Sequence, residues 1–234
     1  MGKSENATLE HASNDEASGI RFELQAIARA DDLSVYGYEF LYRGQVWPST
    51  AAAWTSVDQG VLRYLAAEEQ GAGKPCFINL SHESLLVIQE AAFAAACTRN
   101  DVRFEMSEAV AEGALFDQVC DKVNHLCSQG MQFAIDDFGA GLDGSRRIYA
   151  LDSVAAIKVD RGLLLCAASR PQAARMLEAS ISSWKGAGIQ TVAEGVESPE
   201  LLAFARGVGF DLVQGWHVDT LAPSKLAVIP RSFF

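Results

Sequence analysis

Short apolar runs that end on a polar or charged side chain recur along this chain, separated by segments with helical spacing. That alternation restricts the fold more than any other feature. The runs are RFELQAIA (21–28), VYGYEFLYR (35–43), CFINLS (76–81), VRFEMSE (102–108), QFAIDDFG (132–139), AAIKVD (155–160), IQTVAEGV (189–196) and DLVQGWHV (211–218). Most are rich in β-branched and aromatic residues, over lengths suited to strands. Between them, segments such as SLLVIQEAAFAAAC and PQAARMLEASISSWKGAG repeat apolar residues at helical intervals. The glycines of SQGMQ, KGAGIQ and GVGFD stand where helices should end before the next strand.

Eight strands alternating with helices predict an α/β fold, a (β/α)8 TIM-like barrel. A doubly wound open sheet has the same alternation, but no GxGxxG or Walker A stretch follows an early strand, which weighs against that reading. No linker or internal repeat interrupts the chain after the tail, so residues 20–234 read as one barrel domain. The preceding MGKSENATLEHASNDEASG (1–19) is small, polar and acidic, the composition of a disordered tail.

Bulk properties exclude several classes. The formal net charge is −11, which argues against a broad basic surface for DNA. If the ligand is itself anionic, a bound divalent cation would have to invert the local field. No apolar run reaches membrane-spanning length and no basic-then-apolar signal opens the chain, so a cytoplasmic protein without a membrane segment is expected. Cys76, Cys97, Cys120, Cys127 and Cys166 are scattered through apolar segments without a CxxC pair, as reduced core cysteines are. Cys120, His125 and Cys127 do not share one helical face, which argues against a zinc site there.

The polar residues fall in register with the strands. Glu39, Asn79, Glu105, Asp136, Asp137, Lys158, Glu194 and Gln214 sit in the second half of their runs or at the ends. In a parallel barrel those ends converge on one face, where active sites are built. Each residue alone has a plainer reading, as a helix N-cap, a surface ion pair or a snorkelling lysine. Their coincidence does not, because so many carboxylates cannot share a site without cations. Carboxylates with an asparagine suit hard divalent ions such as Mg²⁺ or Mn²⁺. Asp136 and Asp137 would point to opposite faces of a regular strand, so both can serve one site only where the pleat relaxes, which Gly139 and Gly141 permit. Adjacent carboxylates at such a point could bridge two metals, the arrangement used for phosphodiester hydrolysis.

The stretches GMQFAIDDFGAG, IKVDRGLL, IQTVAEGVES and FDLVQGW resemble, in order and spacing, the signatures of EAL-domain cyclic-di-GMP phosphodiesterases, over roughly residues 20 to 222. The resemblance implies a barrel enzyme that linearises cyclic di-GMP to pGpG with two Mg²⁺ or Mn²⁺ ions. Carried over by position, Glu39, Asn79, Glu105 and Asp136 match metal ligands, with Asp136 shared and Asp137 serving the second ion. Glu194 matches the glutamate that ligates or orients at that second ion, Lys158 the lysine that holds the attacking water, and Gln214 the amide supporting it. Arg43 matches a phosphate-contacting arginine, and Gln25 and Leu41 match substrate-contacting positions. Glu108 and Glu197 match glutamates that steady the loop after DDFG.

The chain departs from the family pattern in four places. The motif reads EFL instead of EAL, and Phe40 should point away from Glu39, toward the outer layer. The interval from Arg43 to Asn79 is shorter than usual, without the Trp-x-His-Pro and Phe-Ile-x-x-Ala-Glu stretches, as in EAL lobes attached to HDOD domains. The loop after DDFG reads AGLDGSRRIYALDS, with one extra residue before Lys158, and Arg146 and Arg147 read as surface charges. Val218 stands where a phenylalanine often shapes the guanine pocket. The shortened segment and altered loop keep a second reading open, a catalytically inactive EAL-like domain acting as a cyclic-di-GMP receptor or protein-interaction regulator. Either reading is compatible with a homodimer or a regulatory protein partner. A metal-dependent phosphodiesterase barrel acting on a different ester is a third.

Overall fold

The computed structural model describes residues 19–70, 73–107, 113–141 and 145–234. The strands are β1 (Ile20–Arg29), β2 (Val35–Tyr42), β3 (Cys76–Leu80), β4 (Val102–Met106), β5 (Gln132–Phe138), β6 (Ala156–Val159), β7 (Gln190–Ala193), β8 (Leu212–Val213) and β9 (Lys225–Ile229). The helices are α1 (Ala51–Ala67), α2 (His82–Val87), α3 (Glu90–Cys97), α4 (Ala114–Ser128), α5 (Arg146–Ala150), α6 (Arg161–Ser169), α7 (Pro171–Gly186), α8 (Pro199–Val208) and α9 (Trp216–Leu221). Strands β2 to β8 follow one another in parallel, and β1 closes the ring by pairing with both β2 and β8.

The barrel is therefore mixed. β1 runs antiparallel to both neighbours, and the first strand pair is a hairpin, where uniform alternation with helices predicted a parallel crossover. The reason is local. A parallel crossover needs a dozen or more residues, and too few lie between Arg29 and Val35. Asp31 accepts from the Asp32 amide at 2.8 Å and Asp32 from the Ser34 amide at 2.8 Å, a turn that folds the chain straight back. Two further differences appear at the C-terminal end. The 211–218 run yields only Leu212–Val213 as strand, with α9 starting at Trp216, and the unanticipated β9 pairs antiparallel to the outer end of β1.

Alternation along the strands separates two cores. Outward residues such as Phe22, Leu24, Phe40, Ile78, Phe104, Ile135 and Ile157 join the large apolar layer under the helices. Phe40 is 4% exposed there, on the face opposite Glu39, as strand geometry predicts. Inward residues Ile27, Phe77, Ala134, Ala156, Val192 and Leu212 form a smaller apolar plug inside the barrel. Arg103 shares their parity and turns its guanidinium to Asp101. One pleat period nearer the mouth, the same inward parity brings Asn79, Glu105, Asp136, Lys158, Glu194 and Gln214. The plug is thus the floor on which the polar layer stands.

Caps start several helices where the strands deliver them. Thr50, Ser81, Asp160 and Ser198 accept from amides in the first turns of α1, α2, α6 and α8. Burial pushes the Cys76 thiol up to about 12 and those of Cys97, Cys120 and Cys127 to about 11, so these groups stay protonated thiols, Cys76 and Cys120 buried and Cys97 and Cys127 half-buried. Among the described residues, no helix is long and apolar enough to cross a membrane.

Candidate active site

At the mouth, one ammonium gathers four carboxylates. Lys158 Nζ lies 2.8 Å from Glu105 Oε1, 2.8 Å from Asp136 Oδ1, 3.0 Å from Glu194 Oε1 and 3.1 Å from Glu39 Oε2. Lys158 and Glu105 are fully buried, and Glu39 and Asp136 nearly so. Glu39 is bonded through both of its oxygens. Its Oε1 accepts from Asn79 Nδ2 at 2.6 Å, and its Oε2 accepts from Gln214 Nε2 at 2.6 Å and from Lys158. Gln214 Nε2 also donates to Gln25 Oε1 at 2.8 Å. Gln25 joins this group because β1 runs backward, which places Gln25 opposite Glu39 and brings its first half to the mouth.

The paired aspartates owe their placement to a bulge. β5 and β6 pair at Ile135↔Ile157 and again at Phe138↔Val159, so Asp136 and Asp137 together oppose Lys158 alone. Asp137 takes φ 48, a left-handed conformation uncommon outside glycine and asparagine or aspartate. Gly139 follows at φ 102, and a Cβ there would lie 2.6 Å from Leu163 Cδ2. The relaxed pleat expected from this glycine-rich stretch is therefore a one-residue bulge, and both aspartates line the mouth together with Glu39, Glu194 and Gln214.

The electrostatics divide the carboxylates. Burial alone would raise Glu39, but the Lys158 charge and the donors from Gln214, Lys158 and Asn79 more than offset it and hold the group low. Burial and the neighbouring carboxylates instead push Glu105 well above the ordinary range, against the pull of Lys158, and Glu194 is raised in the same way. For Lys158 burial opposes the charge, yet Asp136, Glu105, Glu194 and Glu39 together hold its pKa well above normal. Lys158 is therefore a fixed cation.

Among the described residues, no three His, Cys, Asp or Glu side chains stand around one point as a finished ligand set; the carboxylates converge on the ammonium instead. The donor chemistry nonetheless fits a hard divalent ion. Every candidate is an oxygen donor, the acids at the mouth outnumber the one lysine, and the buried Glu105 Oε2 and Glu194 Oε2 have no hydrogen-bond donor among the described residues.

The rim differs from the centre. Arg43 is about half exposed and paired with Glu23, both Nε and Nη2 lying 2.9 Å from Oε2. It lines a neighbouring cavity of about 230 Å³ walled by Phe22, Phe40, Tyr42, Trp47 and Trp54, rather than the acidic mouth. Leu41 borders both. Glu197 lines the mouth and pairs with Arg161 at 2.6 Å, while Glu108 lies outside the described residues. Three residues here were not anticipated. Asp219, on α9, accepts from Gln25 Nε2 at 2.8 Å, and only its place near a helix start after Gly215 could have flagged it. Asp58, on α1, is buried beside the aromatic cavity. Arg147 is 1% exposed and donates through Nη1 to the carbonyls of Met106 (2.8 Å) and Asp136 (2.7 Å), which corrects its reading as a surface charge. Arg146 lies over the Phe116 ring at 3.8 Å.

The model of the EAL domain matches residues 56–220. The chain is 34% identical over 110 residues to the cyclic di-GMP phosphodiesterase NbdA of Pseudomonas aeruginosa, a match covering 46% of this chain and 14% of NbdA. It spans well under two thirds of the length of the curated relatives it matches. Among solved structures, the calcium and cyclic-di-GMP complex of Klebsiella pneumoniae BlrP1 superposes with a TM-score of 0.68 at 26% identity, covering 85% of this chain and 54% of that one. A standalone EAL protein of Vibrio cholerae O395, bound to cyclic di-GMP, shares the fold with a TM-score of 0.64 at 24% identity, covering 85% of this chain and 90% of that one.

Proposed function

This chain belongs to the EAL domain family, and we propose that it is a metal-dependent phosphodiesterase that hydrolyses cyclic di-GMP to linear pGpG. The observation that carries the proposal is the buried carboxylate cluster of Glu39, Glu105, Asp136 and Glu194 around Lys158, with Asp137 added by the bulge. Glu39, Asn79, Glu105 and Asp136 would hold one ion, and Asp136, Asp137 and Glu194 a second. Two Mg²⁺ or Mn²⁺ ions, when bound, would neutralise the phosphodiester and acidify water at the site.

The remaining work falls to the chain itself. Lys158, set among the four carboxylates, contributes a positive field beside the nucleophile and holds it in place. Gln214 fixes Glu39 through Nε2, and its buried Oε1, without a donor among the described residues, can accept from a water proton. Asp219 and Gln25 extend that support to the rim through a chain of hydrogen bonds, which limits movement of the amide. Arg43 stands at the edge, where its planar fork can grip a phosphate oxygen once it releases Glu23. The apolar plug beneath denies water a path from below.

The second reading, a non-catalytic cyclic-di-GMP receptor, draws on two features: the ammonium occupies the centre of the carboxylates, and Arg43 faces the aromatic cavity. One experiment separates the two. The protein is incubated with cyclic di-GMP and Mn²⁺ or Mg²⁺, and the product is identified by chromatography, with Glu39→Ala as control. Formation of pGpG that falls to background in Glu39→Ala is the expected result. Calorimetric binding of cyclic di-GMP in Ca²⁺ without turnover in either active ion would establish the receptor instead.

A further inference from the structure

The geometry points to Arg147 as the positioning residue of the divalent-ion site, the group that holds the β5 bulge open so that both Asp136 and Asp137 reach the mouth. This rests on the proposed metal-dependent activity and adds a residue to it. Among the described residues the β4–β5 ladder runs as far as the Met106↔Ile135 pair, and the β5–β6 ladder slips between Ile135 and Phe138. The Met106 carbonyl belongs to that last β4–β5 pair and the Asp136 carbonyl to the first residue of the bulge, in a buried place where a lost hydrogen bond is costly. Arg147 Nη1 donates to both, at 2.8 Å and 2.7 Å, from a side chain only 1% exposed. One guanidinium nitrogen thus ties the end of β4 to the first residue of the bulge.

The consequences reach the acids directly. Glu105 and Asp136 each contact the Lys158 ammonium at 2.8 Å, and they flank or carry the two bonded carbonyls. Asp137, next along, holds its left-handed φ of 48 only while the Asp136 peptide keeps its orientation. A fixed guanidinium charge behind the backbone also adds a second cation to a region of buried carboxylates. Because Arg147 belongs to α5, beyond the loop that follows the aspartates, a displacement of that helix would be felt at the site through this one side chain.

The test compares wild type with Arg147→Lys and Arg147→Gln. Mn²⁺ alone is titrated by calorimetry well below each protein's unfolding temperature, and amide exchange is followed over residues 136–141. The expected result is a Mn²⁺ affinity lowered at least tenfold in Arg147→Gln and less in Arg147→Lys, which keeps the charge but not the fork. Exchange at 136–141 should accelerate at least tenfold in both, while β7 is unchanged. A residue with only a structural role would lower the unfolding temperature and leave Mn²⁺ affinity within twofold of wild type, and that outcome overturns the inference. If Arg147→Gln does not fold, Arg147→Lys decides by the same criteria. If wild type binds no Mn²⁺, the metal-dependent reading fails. The positioning claim is then decided by amide exchange alone, and unchanged exchange at 136–141 refutes it.

Discussion

The barrel mouth buries the acids of β2, β4, β5 and β7 against a single ammonium, whereas the rim from Leu41 to α1 presents aromatic rings, a surface ion pair and an open cavity. On the first wall, Glu105 and Lys158 are fully buried and every contact to the ammonium is 3.1 Å or shorter. On the second, Tyr42, Trp47 and Trp54 meet edge to face at 5.0 to 5.7 Å, and Trp47 is 67% exposed. Chemistry that depends on dense like charge needs rigid, dry surroundings, and the acidic wall has little tolerance for change. Contacts made by exposed aromatic rings can be rearranged at small cost. The segment after Gly44, read in the sequence as shortened, enters the tolerant side with Trp47 and Trp54.

The sharpest way to break this contrast is to remove the ammonium. Lys158→Met leaves Glu39, Glu105, Asp136 and Glu194 crowded and uncompensated, and should cost about 3–5 kcal/mol of stability at neutral pH, as removal of one partner of a buried ion pair does. Acid should restore part of the loss by protonating the carboxylates, and Mn²⁺ should restore more if the acids can hold it. Thermal melts at neutral and mildly acid pH, with and without Mn²⁺, measure this. A variant as stable as wild type would show that the acidic wall is not the tightly balanced structure described above.

The second test lies where the two walls meet. Burial pushes Asp58 from 3.8 up to about 6, only partly offset by the Ser84 hydroxyl and the Ser81 amide. Its folded pKa exceeds the unfolded one, so its stabilising contribution is full below pH 3.8 and is lost as pH rises through about 6. Above that, the folded state keeps buried a charge that the unfolded chain leaves solvated. Asp58→Asn should therefore stabilise the protein at pH 8 by up to about 3 kcal/mol, with the gain vanishing toward pH 4. Melting curves across that range give the answer, and an equal effect at both ends would mean that the charge on Asp58 is not what matters.

The acidic wall was also the more legible in sequence, and for a physical reason. A strand's period of two ties every inward residue of a run to one face, so Glu39, Asn79, Glu105, Lys158, Glu194 and Gln214 could be aligned without knowing the helices. The direction of β1 was legible too, in the shortness of the loop ADDLS, but strand-and-helix alternation hid it. Arg147 could not be found this way. Adjacent arginines in a polar loop read as solvated, whereas Arg147 is buried with its Nη1 on two carbonyls from strands distant in sequence. Asp219 and the aromatic cavity depend likewise on tertiary packing, through a backward strand and a helix after Gly215.

The smallest expected effect tests the tolerant wall. Trp47→Ala removes edge-to-face contacts with Tyr42 and Trp54, each worth about 0.5–1.5 kcal/mol when well packed and less at this exposure, so the fold should lose roughly 1 kcal/mol. If the protein is the proposed phosphodiesterase, the ring borders the cavity next to Arg43 and Leu41 and not the carboxylates, so its removal should raise KM for cyclic di-GMP several-fold with kcat unchanged. Loss of binding energy that the ground state and the transition state share has that signature. Steady-state kinetics separate the two parameters. A fall in kcat with KM constant would tie the aromatic wall to the reacting phosphate, and the division between a wall for chemistry and a wall for grip would fail.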